Sequence, residues 1–327
     1  MRSVIAVFWV LYCVPMAVLA QSARQHTTIN LPAGVSARRV SALGNQATIS
    51  RTGALVASVC TDNVVRVWSA RSAELMRTLN ENAGAPRTVR FSADGRMLAV
   101  AYQRGAVKVF DVESWNVTHD LTGTLHIHGL AFSPDSQRLA AVGAVAAQVW
   151  ELNSGKSLAH VSPPFGGSFS VSFSPNGKLF ATADGDAFVR VYDVSSGNLQ
   201  STVQGFLLEP MAVAFSPDGK TLLAGGVDKT ISMVESASGQ TFRTIPKQPG
   251  LIWSLDVSTD GKEAAVVYRS AESFSDINHI ILWDLVKGTV LVDFQKPGIT
   301  ITGGGFVGEH YHFAAASGNQ LTLWSMP

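Results

Sequence analysis

Cysteine is scarce, with only Cys13 and Cys60 in 327 residues, so no disulfide framework can staple this chain. Charge is scarce too: Asp, Glu, Lys and Arg make up 15% of residues and nearly cancel. That balance removes the electrostatic reason to expect nucleic acid or an anionic membrane as a partner. The sequence has no G-x-S-x-G nucleophile elbow, and its abundant serines track turns. Gly303-Gly304-Gly305 precedes Phe306 within a strand pattern and opens no helix, so it fails the context of a phosphate cradle. The one long apolar run lies at the start, where Arg2 is followed from Val4 by apolar residues ending in Val18-Leu19-Ala20. Pro15 interrupts it, and it is shorter than the ~20 residues of a spanning helix. It reads as a secretory signal peptide, residues 1–20, leaving 21–327 as one exported unit, periplasmic or secreted, that begins at Gln21 and has no membrane span. The 25 basic residues less Arg2 then leave 24 against 24 acidic ones. Cys60 follows the apolar run Leu55 to Val59 and reads as a small packed residue, since no motif supplies a His to activate it.

What is present is repetition. Phe173 to Asn198, FSPNGKLFATADGDAFVRVYDVSSGN, parses as two strands and two turns. Pro175 presets φ in the first turn and Gly177 supplies its positive-φ position. Leu179 to Ala183 is a short apolar strand, Asp184-Gly185-Asp186 reverses the chain, and Phe188 to Tyr192 alternates with period two. The pattern recurs seven times, led by Ile49, Phe91, Phe132, Phe173, Phe215, Val257 and Phe306, at steps of 41 or 42 residues with a last step of 49. Each copy closes its third strand on a bulky residue: Trp68, Phe110, Trp150, Tyr192, Val234, Trp283 and Trp324. An acid follows at once in four copies, as Asp111, Glu151, Asp193 and Asp284, with Val234-Glu235 set aside as the weakest closure.

These residues resemble the WD-repeat family over about residues 40 to 327. The resemblance implies an all-β fold, a seven-bladed β-propeller of four-stranded antiparallel blades. The sequence also departs from that family. No copy has the Gly-His pair before its first strand, and the loop Asp six residues before the closing position occurs only as Asp62, Asp186 and Asp228. Blade cohesion is therefore expected to rest on apolar packing, and a more distant kinship with tricorn-like or Tol-system propellers, which share the S-P-D-G turn, stays open. Six copies continue into a fourth strand, from Leu75, Trp115, Ser157, Leu199, Thr241 and Val290, whereas the chain stops three residues after Trp324. Thr27 to Leu31 has the length and alternation to supply the missing outer strand and close the ring.

The loops between strands two and three and those joining blades belong to one face. On it the later inter-blade loops are apolar: Pro163-Pro164-Phe165, Phe206-Leu207-Leu208 and Pro249 to Trp253. Copy six adds Ala271 to Asn278, with Phe274, on the same face. Four residues before each leading position stand Asn45, Arg87, His128, Phe169, Met211, Trp253 and Thr302, and period-two alternation places them on the same side as the leading residue near the loop-rich face. Three consecutive blades thus present large apolar groups. The expected partner-binding residues are Phe165, Phe169, Phe206, Leu207, Leu208, Met211, Trp253 and Phe274.

Constellations that resemble chemistry are incomplete. Asp184 and Asp186 lack the further oxygens of a calcium site, and His126/His128 and His310/His312 lack a third ligand for zinc. His119-Asp120 has no nucleophile, and Asn116-Val117-Thr118 is a glycosylation sequon only on a eukaryotic export route. No catalytic residue, metal or cofactor is expected. The sequence points to a non-catalytic scaffold that binds another protein through the loop-rich face. The alternative is a propeller-type hydrolase or dehydrogenase with its site at the channel mouth.

Overall fold

The repeated turn folds for a reason its own residues supply. In the computed structural model, Ser92 Oγ donates to Asp94 Oδ1 (2.5 Å) and accepts the Met97 N–H (2.9 Å), tying both ends of the turn to one hydroxyl. The same device recurs at Ser133–Asp135, Ser174–Asn176, Ser216–Asp218 and Ser258–Asp260. Gly177 takes φ 67°, as its place in the turn requires.

The structure describes residues 23–37, 46–163, 165–245, 248–269, 279–308 and 310–326. The proposed signal segment, Asn45 and the insertion carrying Phe274 lie outside these. Among the described residues there is no helix, and the strands form seven four-stranded antiparallel sheets. Six blades are continuous in sequence, with blade 1 at Ala47–Ile49, Leu55–Val59, Val65–Ser69 and Leu75–Leu79. Inner strands of successive blades contact one another around a central channel. Apolar clusters fill the space between neighbouring sheets, so every core is shared by two blades. Such sharing forbids a bare edge: a ring must close.

Closure uses both ends of the described chain. Arg24–Asn30 pairs antiparallel with Gln320–Met326, Thr27 opposite Leu323 and Ile29 opposite Leu321, as the outer strand of blade 7. At the inner edge Gln46 N–H donates to Thr302 O (3.0 Å). A methyl group on Gly303 would lie 1.9 Å from the Ala47 carbonyl oxygen, so only glycine lets these two backbones meet. Trp115, expected to begin an outer strand, instead occupies the preceding turn at φ 59°, and the strand runs Val117–Thr122.

Cohesion by apolar packing alone is not what the blades show. In blade 4 Ser168 Oγ donates to Asp184 Oδ1 (2.7 Å), and Arg190 donates to Asp184 Oδ2 (2.6 Å) and to both oxygens of Asp186 (2.9 and 2.6 Å). Asp184 is fully buried, and desolvation pushes its carboxyl up against the pull of Ser168 and Arg190. Blade 1 repeats half of this, Arg66 gripping both oxygens of Asp62 at 2.9 and 2.6 Å. Both loop acids thus pair with an Arg four residues on, two before the closing aromatic. Asp228 has Ser232 in that place, so its Oδ1 takes the N–H and hydroxyl of Thr230.

Candidate channel mouth and loop face

A cavity of about 350 Å³ runs along the ring axis, walled by the inner strands. Its mouth toward the inter-blade loops is shaped by one recurring defect. In blades 2 to 7 the ladder between inner and second strands slips at Arg87, His128, Phe169, Met211, Trp253 and Thr302. These are the positions four before the leading residues. A bulged residue leaves the ladder and is re-aimed, so strict alternation does not hold there. His128, Phe169, Met211 and Trp253 line the channel, whereas Thr302 is buried and donates through its hydroxyl to Ala314 O (3.2 Å).

Aromatic contacts fix this collar. Phe169 stacks on the His128 ring with centroids 5.8 Å apart, and His128 Nδ1 lies 3.0 Å from Ser168 O. Burial and the nearby Arg87 charge hold the His128 pKa below its ordinary value. The Arg269 guanidinium lies 4.8 Å above the Trp253 ring, and Trp253 also packs against the core between blades 6 and 7.

Outside the collar the expected residues divide. Phe165 and Leu207 are 77% and 84% exposed, Leu208 about half, and Asp228 Oδ2 accepts the Leu207 N–H (3.3 Å). Phe206 was expected among them, but it is 9% exposed and packs into the core between blades 4 and 5. Its neighbours can project only because it anchors the loop inward. Likewise Leu251 to Trp253 belong to the inner strand Leu251–Val257 rather than a loop, with Ile252 fully buried.

Two exposed residues were not foreseen. Leu125 and Val145, both more than half exposed, sit on the same face in blade 3. Ala144 N–H donates to Leu125 O (3.1 Å), tying these two loops together, and Gly167, in the loop bearing Phe165, comes so near that a methyl group on it would lie 2.4 Å from the Gly143 carbonyl oxygen. The signal was present in part: Leu125 precedes His126, whose φ of 52° turns the loop outward, while Val145 is embedded in an apolar stretch that reads as strand. Leu125, Val145, Phe165, Leu207 and Leu208 form an apolar arc over the entrances of blades 3 to 5.

Deeper in the channel the positions one before the leading residues are Thr48, Arg90, Ala131, Ser172, Ala214, Asp256 and Gly305. Hydroxyl and carboxylate groups here cap the next blade's inner edge. Val213 and Phe215 N–H donate to Ser170 and Ser172 Oγ (3.4 and 3.3 Å), and Phe306 N–H to Asp256 Oδ2 (3.2 Å). The channel wall desolvates Asp256 and raises its pKa, opposed by Arg90 and Arg51.

The other constellations resolve as structure. Arg190 engages the carboxylates of Asp184 and Asp186, His119 Nε2 meets Leu152 O, and Asp120 accepts from Lys108 Nζ (2.8 Å). The His312 ring stacks on His26 at 6.0 Å. Among the described residues no group of three His, Cys, Asp or Glu is placed to hold a metal ion. Cys60 is buried, and desolvation raises its pKa, which keeps the thiol protonated and inert. No described helix is long and apolar enough to cross a membrane.

Comparison with known proteins adds two kinds of likeness, to family models and to individual relatives. Residues 47–133 match the anaphase-promoting complex subunit 4 WD40 domain, and residues 156–193 and 198–234 match the WD domain, G-beta repeat. The chain is 32% identical over 160 residues to WD repeat-containing protein SL1-17 of Schistosoma mansoni, covering 46% of this chain and 50% of that protein. It is 30% identical to eukaryotic translation initiation factor 3 subunit I of Culex quinquefasciatus, over 42% of this chain and 48% of that one. Small ribosomal subunit protein RACK1 of Caenorhabditis elegans is 25% identical over 43% and 46% of the two chains. The chain spans about half the length of the curated relatives it matches.

Proposed function

Because this chain is a divergent member of the WD-repeat β-propeller family, we propose that it is a non-catalytic scaffold that binds another protein through its loop-rich face. The observation that carries the reading is the apolar arc of Leu125, Val145, Phe165, Leu207 and Leu208 over three adjacent blades. Single exposed apolar side chains are ordinary, but a run of them on one face, beside a collar of Phe169, Met211 and Trp253, is a contact surface. The relatives named for ribosomal and initiation-factor subunits carry in their names membership of larger assemblies, which agrees with such a role. Residues 1–20 are proposed to direct export, and a purified exported chain whose mass begins at Gln21 is the result expected of that.

Affinity capture by the immobilised protein tests the face. Leu207→Asp and Phe165→Asp are expected to lose the captured partner while the melting midpoint stays within about 2 °C, since such exposed substitutions cost ~0.5 kcal/mol or less. Unchanged capture by both variants removes the arc from the interface. Trp253 is a poorer probe, because its packing against the core of blades 6 and 7 makes truncation costly to folding as well.

A further inference from the structure

The channel below the collar has a chemistry of its own. Of the charged groups lining it, the guanidinium groups of Arg51 and Arg90 stand against the single carboxylate of Asp256, an excess of one positive charge with His128 neutral. Asp256 is spoken for: Oδ1 accepts the Val257 N–H (3.0 Å) and Oδ2 the Phe306 N–H. Arg90 is not. It belongs to the inner strand of blade 2, yet its charge acts across the channel on Asp256 of blade 6 and Tyr311 of blade 7. Among the described residues its guanidinium makes no hydrogen bond and no ion pair within 4 Å. Its surroundings add donors, because Ser170 and Ser172 accept main-chain N–H bonds through Oγ and keep their hydroxyl protons to give. A half-buried guanidinium with open donors in a low-dielectric throat is a carboxylate site, since charge-assisted bonds there are the strong ones.

Depth decides which carboxylate. Arg90 lies three residues below the collar along the inner strand, about 10 Å at strand rise. Three residues of extended chain span the same distance, and the cavity of about 350 Å³ runs continuously from collar to Arg90. The collar and the exposed arc are close along the chain, Phe165 standing four residues before Phe169 and Leu208 three before Met211. A free acid would fill the throat and leave the arc bare, whereas a chain ending in the throat covers both.

We propose that the channel receives the C-terminal tail of the partner protein, its terminal carboxylate on Arg90 and an apolar side chain of its last residues held by Phe169, Met211 and Trp253. This rests on the scaffold reading and specifies how the partner is held. Arg90 is the stronger and Arg51, exposed at the opposite mouth, the weaker of the two charges set against Asp256, and together they exceed that one carboxylate, which leaves room for a second on Arg90.

The test uses the whole protein, immobilised, and two mixtures of hexapeptides of randomised sequence, one ending in free carboxylates and one in carboxamides. Retained peptides are quantified by mass spectrometry. The free acids are expected to be retained about tenfold or more over the amides, with large apolar residues enriched in the last three positions. Arg90→Gln is expected to abolish that preference and Arg90→Lys to keep part of it, each variant being melted first so that a folding defect is recognised. Equal retention of acids and amides overturns the proposal, as does an Arg90→Gln protein that melts normally and still prefers acids. A melting shift with millimolar hexanoate but no peptide retention assigns the throat to small free acids and also overturns it. If Leu207→Asp abolishes partner capture while acids and amides are retained alike, the binding face stands and the tail does not.

Discussion

Blades 4 and 7 solve the same problem with opposite materials. Blade 4 is one unbroken segment, stapled through its middle by Ser168, Asp184, Arg190 and Asp186. Blade 7 is assembled from two distant segments and holds its closing residue in an aromatic stack, Trp324 lying 6.2 Å from Phe313 and 5.3 Å from Phe294. The Trp324 indole N–H is buried with no hydrogen-bond partner among the described residues. A blade whose order is assured by sequence proximity can carry a demanding polar network. The blade that must be found by a remote strand relies on apolar contact, which tolerates imperfect approach. The difference teaches that loss of the family's usual polar pattern has been met blade by blade, not by one substitute.

The hardest blow falls on blade 7. A chain beginning at Ala33 lacks Arg24–Asn30 and with it the ladder to Gln320–Met326 and the burial of Ile29 and Leu31. Thermal melting is expected to show the largest drop of any variant considered, because the cores on both sides of the seam are opened together. Equal midpoints for chains beginning at Gln21 and Ala33 would mean the seam closes without this strand.

A pair of substitutions sharpens the contrast at smaller cost. Arg190→Ala strands the buried Asp184 carboxylate and is expected to destabilise by ~3–5 kcal/mol in urea unfolding. Trp324→Phe removes the unpartnered N–H at the expense of some volume, so the two effects offset and the change stays within ~1 kcal/mol. A large loss from Trp324→Phe and none from Arg190→Ala would invert the comparison.

The smallest effect comes from acid. Desolvation lowers the pKa of His128 and, with the charges of His26 and His310, that of His312. The unfolded chain takes up these protons near the ordinary value of 6.5 while the folded chain resists, so stability present above that pH is lost as pH falls through the window below it. Asp184 and Asp256 act with the opposite sign, their raised pKa values favouring the folded state on acidification. Midpoints are expected to fall by a few degrees between pH 7.5 and 5.5, less steeply in His312→Gln. A slope identical in that variant would free His312 of the effect.

Much of this fold was legible because its unit repeats. Seven copies of one unit, five of them with Ser and Asp or Asn at fixed offsets in the turn, fix strand boundaries better than any single apolar run, and the orphan strand is what the seventh copy lacks. The site was legible only in part. Residues 207 and 165 read correctly as loop apolar groups, but nothing local distinguishes Phe206, turned inward, from Leu207, turned outward. Bulges at positions such as Phe169 and Trp253 carry no residue signature, so alternation pointed to His128, Phe169, Met211 and Trp253 for a geometrical reason that does not hold, and it named Arg87 and Thr302, which do not line the channel, beside them. The arginine pairing of Asp62 and Asp186 was visible as an acid followed four residues later by Arg. Arg90 and Asp256 were visible as charges where other copies carry small or hydroxyl residues.

Closure of the ring also sets a clock. Asn30 and Gln320, joined side chain to side chain in blade 7, stand 290 residues apart. During synthesis at ~5–20 residues per second, the first strand waits roughly 15–60 s for its partner to be made. Throughout that interval Ile29 and Leu31 have no neighbouring sheet and the flank of blade 1 is uncovered, an obligatory period of exposure written into the order of the strands.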